Sequence, residues 1–215
     1  MERYATRVSS ETKESPLRQA QTALARTRIA EAARDCFLAD GYVPTSMSAI
    51  AKRAGVSVQT IYNTVGNKAA VLSAVIDLAA AGPEAPTPVR TFMQERTEAA
   101  TTLTDMVGVL AEWFSDVHPR LADVFGLIRQ AAAVDVEVEA LERARASQRI
   151  ANYALAAAHV RALGGLTNGM DDEEAAALIW SLGHPDTYRF LVGVQQWSHE
   201  RYRLWLTAGL AAALR

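Results

Sequence analysis

The sequence predicts an all-α protein with a small amino-terminal part and a larger carboxy-terminal part. Apolar residues recur every three or four positions through most of the 215 residues, which is the spacing of amphipathic helices. Glycine, proline and Asp-Gly or Asn-Gly pairs separate these stretches, as expected for helix ends. No stretch has the alternation of apolar and polar residues, bounded by turn signals, that indicates a strand. Half of the residues are hydrophobic, which is enough for a packed core.

The first predicted helix begins near Ser15-Pro16, because serine suits the N-cap and proline the first helical position. It ends at Asp40-Gly41, and we expect residues 1–15 before it to be a disordered tail. The inward face is built from residues four apart, Ala25, Ile29, Ala33 and Phe37. Cys36 lies on the neighbouring row, and as the single cysteine it is expected to pack as a small hydrophobe.

Residues 45–68 predict two short helices joined by a tight turn, with a third helix starting just beyond. Gly55 suits a turn that requires positive φ, and Ser57 suits the N-cap of the second helix. In that helix Val58, Ile61 and Val65 share one face. The other face carries polar groups. This is the pattern of a helix-turn-helix, whose second helix enters the major groove of DNA.

The outward side chains suit that task chemically. Gln59 and Asn63 carry amides that can pair with adenine N6 and N7, and Thr60 offers a methyl and a hydroxyl. Tyr62 and Lys68 suit phosphate oxygens, which position a protein without reading the sequence. The residues that we predict to contact DNA are Ser46, Ser48, Val58, Gln59, Thr60, Tyr62, Asn63, Thr64 and Lys68.

The charge distribution agrees with a DNA-binding amino-terminal part. Residues 1–70 hold 10 Lys and Arg against 6 Asp and Glu, a net charge of +4. Residues 71–215 hold 12 against 18, a net charge of −6. A basic amino-terminal domain attracts phosphate, although the whole chain is slightly acidic.

Helices follow almost without interruption in the carboxy-terminal part. A fourth helix over 67–81 ends at Gly82-Pro83, and the loop after it is the expected domain boundary. His118-Pro119 is expected to break the chain between two helices, and Asp171 with Glu174 predicts a capping box. The predicted helices are 87–99, 103–117, 119–132, 136–163, one from 171, 186–194 and 198–214.

The segment 49–72 resembles the DNA-binding domain of the TetR family of bacterial transcriptional regulators. Val65 stands where that family most often has phenylalanine, and Thr64 replaces a frequent histidine or tyrosine, so the operator cannot be inferred from relatives. The positions that match the family pattern are Thr45, Ser46, Ile50, Ala51, Ala54, Gly55, Val56, Ser57, Thr60, Ile61, Tyr62, Lys68, Val71 and Leu72.

The resemblance implies a domain organisation and a set of partners. It divides the chain into the tail 1–15, a three-helix DNA-binding domain 16–66, a connecting helix 67–82 and a helical ligand-binding and dimerisation domain 83–215. It implies a homodimer that binds a palindromic double-stranded DNA operator and responds to a small-molecule effector. The sequence does not decide between repressor and activator, and it leaves the operator, the regulated genes and the effector open.

Two further sets of residues are expected within the larger domain. The bulky residues suited to a ligand pocket, with two polar anchors, are Met93, Trp113, Phe114, Phe125, Arg129, Trp180, His184 and Tyr188. The residues expected at a dimer interface are Leu191, Trp197, Leu204, Trp205 and Ala208. In both sets, residues at helical spacing also suit an intrachain core, and the sequence leaves that alternative open.

Other classes of protein fit the sequence less well. HExxH, CxxC, GxSxG and glycine-rich phosphate motifs are missing, so we expect no enzyme, no cofactor and no metal. A helical small-molecule-binding module or enzyme without DNA binding is the alternative to a regulator. The sequence holds no run of about 20 apolar residues, and its first residues have no apolar signal region, so a cytoplasmic protein without a membrane segment is expected.

Overall fold

The computed structural model describes residues 16–82 and 89–215. All regular secondary structure in these residues is helical, which confirms the predicted fold class. The predicted tail 1–15 and the loop at 83–88 lie outside the described residues. The helices are α1 Pro16–Asp40, α2 Met47–Ala54, α3 Val58–Thr64, α4 Lys68–Ala81, α5 Val89–Ala99, α6 Leu103–Ala132, α7 Val136–Ala162, α8 Asp172–Leu182, α9 Pro185–Tyr188, which continues as a π-helix over Arg189–Val194, and α10 His199–Ala213.

Local side-chain caps set the boundaries of the first helices. Ser46 accepts a hydrogen bond from the Ala49 amide at 3.1 Å, and Ser57 accepts one from the Thr60 amide at 3.0 Å. Gly55 ends α2 in the left-handed region at φ 67°. These caps satisfy backbone donors that the first turn of a helix leaves free. The predicted turn between α2 and α3 is therefore confirmed.

One apolar core joins α1, α2, α3 and α4. Ile29, Phe37, Ile50 and Ile61 are fully buried in it. Five apolar residues of α4 are buried as well: Val71, Leu72, Val75, Ile76 and Ala79. The same core continues into α6, so α4 links the helix-turn-helix to the rest of the chain through apolar packing.

The predicted break at His118-Pro119 is wrong, because α6 runs unbroken from Leu103 to Ala132 with Pro119 inside it. Proline in a helix interior removes one hydrogen bond and costs about 3 kcal/mol. Residues on both sides are buried, among them Phe114, Val117 and Leu121. Continuous burial of this face offsets the local penalty, a tertiary effect that sequence spacing does not reveal.

His118 is buried at the crossing of α6, α8 and α10. Its Nδ1 lies 3.0 Å from the Tyr202 hydroxyl, and only 1% of its surface is exposed. Burial is the main cause that lowers its pKa to about 3. The ring is therefore neutral near pH 7 and serves as a hydrogen-bonding part of the core.

In the carboxy-terminal part, a predicted helix start is confirmed, but one predicted helix has a different form. The capping box of Asp171 and Glu174 is confirmed at the start of α8. Where one helix over 186–194 was predicted, the chain forms the short helix α9 and then a π-helix. Such wide turns are rare, and sequence periodicity does not distinguish them from α-helix.

Within the described residues, no single helix is long and apolar enough to cross a membrane. One bent pair, Val58–Thr64 with Lys68–Ala81, passes by length and composition alone. In this structure most of the apolar residues of that pair, among them Ile61, Leu72 and Val75, belong to the core shared by the first four helices.

Candidate nucleic-acid interface and ligand cavity

α3 is held by its apolar face and presents its polar face outward. Ile61 is fully buried, while Val58 and Val65 are half-buried against the same core. Gln59, Tyr62 and Asn63 are exposed. The helix therefore has the anchoring face that the sequence predicts and an outward face of hydrogen-bonding side chains.

The predicted base-reading groups bond to one another in the free chain. The Gln59 Nε2 amide donates to Asn63 Oδ1 at 2.8 Å. The Thr60 hydroxyl lies 2.8 Å from the Ser57 hydroxyl, and Thr60 is half-buried. An amide carries two donors and an acceptor with two lone pairs. The Gln59–Asn63 bond thus orders both side chains and leaves capacity for a base edge.

The other predicted DNA contacts occupy different positions. Ser46 and Ser48 are exposed at the start of α2, although the Ser46 hydroxyl already accepts the cap bond. Val58 and Thr64 are half-buried at the two ends of α3. Half of the Tyr62 surface is exposed, with 50% accessible to solvent. Ser46, Ser48 and Tyr62 are therefore the exposed members of this group.

Lys68 has partners inside the protein. Its Nζ donates to the Val43 carbonyl at 3.1 Å and lies 4.3 Å from the centre of the Tyr42 ring. Partial burial lowers the pKa of its ammonium, while Asp135 acts in the opposite direction. Lys68 thus ties the start of α4 to the loop before α2, a structural role in addition to its predicted contact with phosphate.

Two polar contacts connect the helix-turn-helix region to the start of α7. The Tyr42 hydroxyl donates to Asp135 at 2.7 Å, and the Asn67 amide donates to Glu137 at 2.7 Å. The hydrogen bond from Tyr42 makes the largest contribution to the lowered pKa of the Asp135 carboxyl. These contacts hold the helix-turn-helix region against the start of α7.

Two arginines hold α4 from the larger domain. Arg120 of α6 donates to the Ala79 carbonyl at 2.9 Å, near the end of α4. Arg145 of α7 donates to the Ser73 hydroxyl at 2.7 Å and to Asp77 at 2.6 Å. Since α4 follows directly after α3, these bonds connect the position of α3 to α6 and α7.

A cavity of about 760 Å³ lies among α4, α5, α6, α7 and α8. Its volume falls within the range of small-molecule sites. Five of the predicted pocket residues line it: Met93, Trp113, Phe114, Phe125 and Trp180. The cavity also reaches Ile76, Asp77 and Ala80, so one wall is the connecting helix.

Three predicted pocket residues do not appear in this lining. Arg129 forms an ion pair with Asp186, and His184 caps α9 by accepting from the Asp186 amide at 3.1 Å. Tyr188 is buried in the core, where its hydroxyl lies 3.2 Å from His199. All three residues have hydrogen-bond or ion-pair partners in or next to α9. The two predicted polar anchors, Arg129 and His184, therefore do not line the cavity.

The predicted dimer residues differ in exposure, and two of them, Leu191 and Trp205, pack against the core of the same chain. Leu204 is 57% exposed, and Ala208 is exposed one turn later on α10. Leu191, Trp197 and Trp205 are half-buried, and the two tryptophan rings meet edge to face at 6.4 Å. Two exposed apolar residues that the sequence analysis did not single out, Phe190 and Val194, lie nearby in the chain.

Residues 29–75 match the family model described as bacterial regulatory proteins, tetR family. The helix-turn-helix region of this chain is thus similar to that family. The match begins within α1 and ends within α4, and it includes all of α2 and α3. No curated protein matches the chain in sequence.

Solved structures share the fold over most of the chain, well beyond the matched segment. NalD of Pseudomonas aeruginosa, the secondary repressor of the MexAB-OprM multidrug efflux pump, superposes with a TM-score of 0.69 at 21% identity and covers 90% of this chain and 97% of its own. The transcriptional regulator FadR of Bacillus subtilis, in complex with stearoyl-CoA, gives 0.68 at 19%, with 87% and 98% covered. SmeT of Stenotrophomonas maltophilia, in complex with triclosan, gives 0.64 at 20%, with 89% and 92% covered.

Two arginines that line the cavity are absent from the residues predicted for a ligand pocket. They are Arg145 and Arg149 of α7. The spacing of four residues between them was the available signal, since it places both guanidiniums on one face of the helix. Another charged pair of the same helix, Glu139 and Arg143, is exposed, with the charged atoms 3.3 Å apart.

Proposed function

We propose that this chain is a sequence-specific DNA-binding transcriptional regulator, a repressor that binds a palindromic operator as a homodimer and responds to a small-molecule effector. The observation that carries this proposal is the outward face of α3, with Gln59, Tyr62 and Asn63 exposed on a capped helix. The match of this segment to a family of bacterial regulatory proteins supports it. A protein that binds the chromosome of a bacterium works in the cytoplasm, which is the location that we propose.

Dimerisation supplies the geometry for operator binding. A two-fold dimer places its two recognition helices about 34–36 Å apart, in successive major-groove turns of a palindrome. The exposed apolar residues on α10 and before it suit a two-fold interface, where the same patch of each protomer meets its copy. We assign the interface to Leu191, Trp197, Leu204, Trp205 and Ala208.

The cavity supplies a route from effector to DNA. Its wall includes Ile76, Asp77 and Ala80 of α4, and α4 is separated from α3 by only three residues. A ligand that favours one position of α4 changes the position of α3 by the same differential affinity. DNA affinity then falls when the favoured position no longer matches the groove spacing.

A ligand-binding module without DNA contact is the alternative. It accounts for the cavity but gives no reason for the polar face of α3. Among the described residues no cluster of His, Cys, Asp and Glu could hold a metal ion, and the family that matches consists of regulatory proteins.

Selection from random duplex DNA tests the proposal. The chain is incubated at low salt with a library of random sequences, and the bound fraction is sequenced over several rounds. We expect an enriched palindrome whose half-sites are one helical turn apart. A matched selection with Asn63→Ala is expected to lose one position of each half-site. If no motif is enriched at low salt, the chain is not a sequence-specific DNA-binding protein.

A further inference from the structure

The cavity is walled by a connected group of aromatic rings. Tyr153 and Trp180 are nearly parallel, with ring centres 5.8 Å apart and an angle of 22°. Phe114 lies 5.6 Å from Tyr153, and Phe125 lies 6.4 Å from Trp180. All four residues line the cavity, as does Trp113. Flat ring systems gain offset-stacked and edge-to-face contacts on such walls, which aliphatic chains do not.

Two guanidinium groups enter this aromatic environment from one face of α7. The Arg149 guanidinium lies 4.9 Å from the centre of the Trp180 ring and donates to Glu142 at 2.7 Å. Arg145, one turn earlier, donates to Ser73 and Asp77 through Nη2. The Nε atoms of both arginines are buried, and no residue that the structure describes accepts a hydrogen bond from them.

The guanidinium groups on the cavity wall favour an acceptor ligand. Each guanidinium carries five N–H donors in a planar fork that matches a carboxylate. The buried Nε atoms, like the unpaired Oε2 of Glu142, are out of reach of a ligand in the cavity. Arg145 and Arg149 nevertheless line the cavity, so their terminal N–H groups are the charged donors that a ligand carboxylate meets there.

The acidic groups of the lining are already engaged. Asp77 forms an ion pair with Arg145. Glu98 is exposed and accepts from the Gln94 amide at 2.8 Å. A cationic ligand would have to displace one of these partners or lie beside the two arginines. The cation beside the aromatic rings is Arg149, 4.9 Å from the centre of the Trp180 ring, and this placement favours an anionic ligand next to those rings.

We propose that the effector is a flat, mostly apolar ring system with one carboxylate, its rings against Tyr153 and Trp180 and its carboxylate on Arg149 and Arg145. This inference rests on the proposed function of the cavity as the effector site. The carboxylate competes with Asp77 for Arg145, and Asp77 lies in α4. The negative charge of the ligand thereby weakens the contact between Arg145 and Asp77, which is one of those that hold α4 against α7.

Calorimetric titration of the full chain with three matched probes tests the ligand class. Pyrene-1-carboxylate carries the proposed anion, pyrene-1-carboxamide is its neutral analogue, and 1-pyrenemethylamine is its cationic one. We expect the carboxylate to bind roughly tenfold or more tightly than the carboxamide, because a charge-assisted bond is stronger than a neutral one. Equal binding of the two, or tightest binding of the amine, overturns the proposal.

Decanoate tests whether the ring system matters. It presents the same carboxylate on an aliphatic chain. We expect it to bind more weakly than pyrene-1-carboxylate, because it lacks the ring contacts with the aromatic wall. If decanoate binds more tightly, the ring part of the proposal is wrong.

Two variants on the same helix locate the anion. Arg149→Gln should remove the preference for the carboxylate over the carboxamide and leave carboxamide binding nearly unchanged. Arg143→Gln is the matched control, because Arg143 is exposed on α7 and pairs with Glu139. If Arg149→Gln keeps the full preference, the carboxylate lies elsewhere. Should that variant fail to fold, the comparison of the three probes on the unaltered chain still decides the ligand class.

DNA binding is measured separately on the ligand-free chain. If the chain binds no specific DNA but still prefers the carboxylate through Arg149, the proposed regulatory function is wrong and the ligand inference stands. If the chain binds specific DNA but shows no preference for the carboxylate, the ligand inference is wrong and the regulatory function stands. The two failures are therefore distinguishable.

Discussion

The side chains of α3 divide between a buried face that anchors the helix and an outward face that we propose reads DNA. Ile61 is fully buried and fixes the helix. Gln59 and Asn63 project outward and hold each other at 2.8 Å. A bond between neighbouring amides restricts their rotamers before DNA arrives, which lowers the entropy that binding must supply.

Substituting the two amides tests their predicted role as base readers. Gln59→Ala or Asn63→Ala should each weaken binding to the selected palindrome by about 1–3 kcal/mol and relax the preference at one position of each half-site. Because each amide orders the other, the double variant should lose less than the sum of the two. Competition assays with single-base variants of the site measure this. A loss of equal size on every sequence would instead identify a phosphate contact.

His118 gives the chain a specific dependence of stability on pH. Its pKa is about 3 in the folded chain and about 6.5 in an unfolded one. Between these values the unfolded state binds the extra proton, so the free energy of unfolding falls as the pH is lowered from about 6.5. The slope from this residue is at most about 1.4 kcal/mol per pH unit.

The variant His118→Gln isolates this contribution. Glutamine keeps a hydrogen-bonding side chain near Tyr202 but does not titrate. We expect it to be less stable than the parent at pH 7 and to show a shallower loss of stability between pH 6 and pH 4, measured by urea unfolding at each pH. Parallel profiles for the two proteins would show that His118 does not carry the dependence.

At the level of elements, close packing between α6 and the end of α8 constrains one residue. A Cβ atom built on Gly183 would overlap the Phe114 ring. Phe114 is fully buried and belongs to the aromatic group around the cavity. Only glycine lets the chain turn from α8 into α9 at this distance from the ring.

Gly183→Ala should therefore destabilise the fold. We expect a loss of about 1–3 kcal/mol, the usual cost of overpacking a core. Gly126→Ala is the matched control, because Gly126 lies within α6 and an added Cβ there meets no atom within 4 Å. That control should be neutral or gain about 0.5–1 kcal/mol from helix propensity. Urea unfolding of both variants checks the pair, and equal stabilities would contradict the packing argument.

Elements whose signals are local could be predicted from the sequence, and those that depend on tertiary contacts could not. Ser57 caps α3 as predicted, because a cap depends on residues within one turn. Pro119 shows the reverse, because burial of α6 on both sides keeps the helix intact.

The candidate sites follow the same division. The face of α3 was predictable because α3 is short and has a distinct apolar side. Arg145 and Arg149 were not identified as cavity residues, because nothing within α7 indicates that α4 and the aromatic rings lie against them. The predicted anchors Arg129 and His184 had equally suitable chemistry. In the structure, however, Arg129 forms an ion pair with the Asp186 carboxylate, and His184 accepts a hydrogen bond from the Asp186 amide.

At the scale of the whole molecule, the apolar surface of α10 is predicted to form the dimer. Leu204→Glu places a charge on its outward face, where Leu204 is 57% exposed. We expect this variant to sediment as a monomer and to lose affinity for the palindrome while keeping its helical content, because a two-fold interface buries the charge twice.

Val134→Glu is the control for that experiment. Val134 is 67% exposed in the turn after α6, so the same charge there should leave the dimer intact. Sedimentation velocity at micromolar concentration compares the two variants. A parent chain that is already monomeric, or a dimer that survives Leu204→Glu, would contradict the assigned interface.

The affinity for the selected palindrome, compared with a scrambled duplex of equal length and composition, tests the central claim most directly. The account predicts that the palindrome binds at least about a thousandfold more tightly near physiological salt. It also predicts that both affinities fall steeply as salt is raised, because phosphate contacts release counterions. Equal affinities for the two duplexes across the salt range would contradict a sequence-specific regulator.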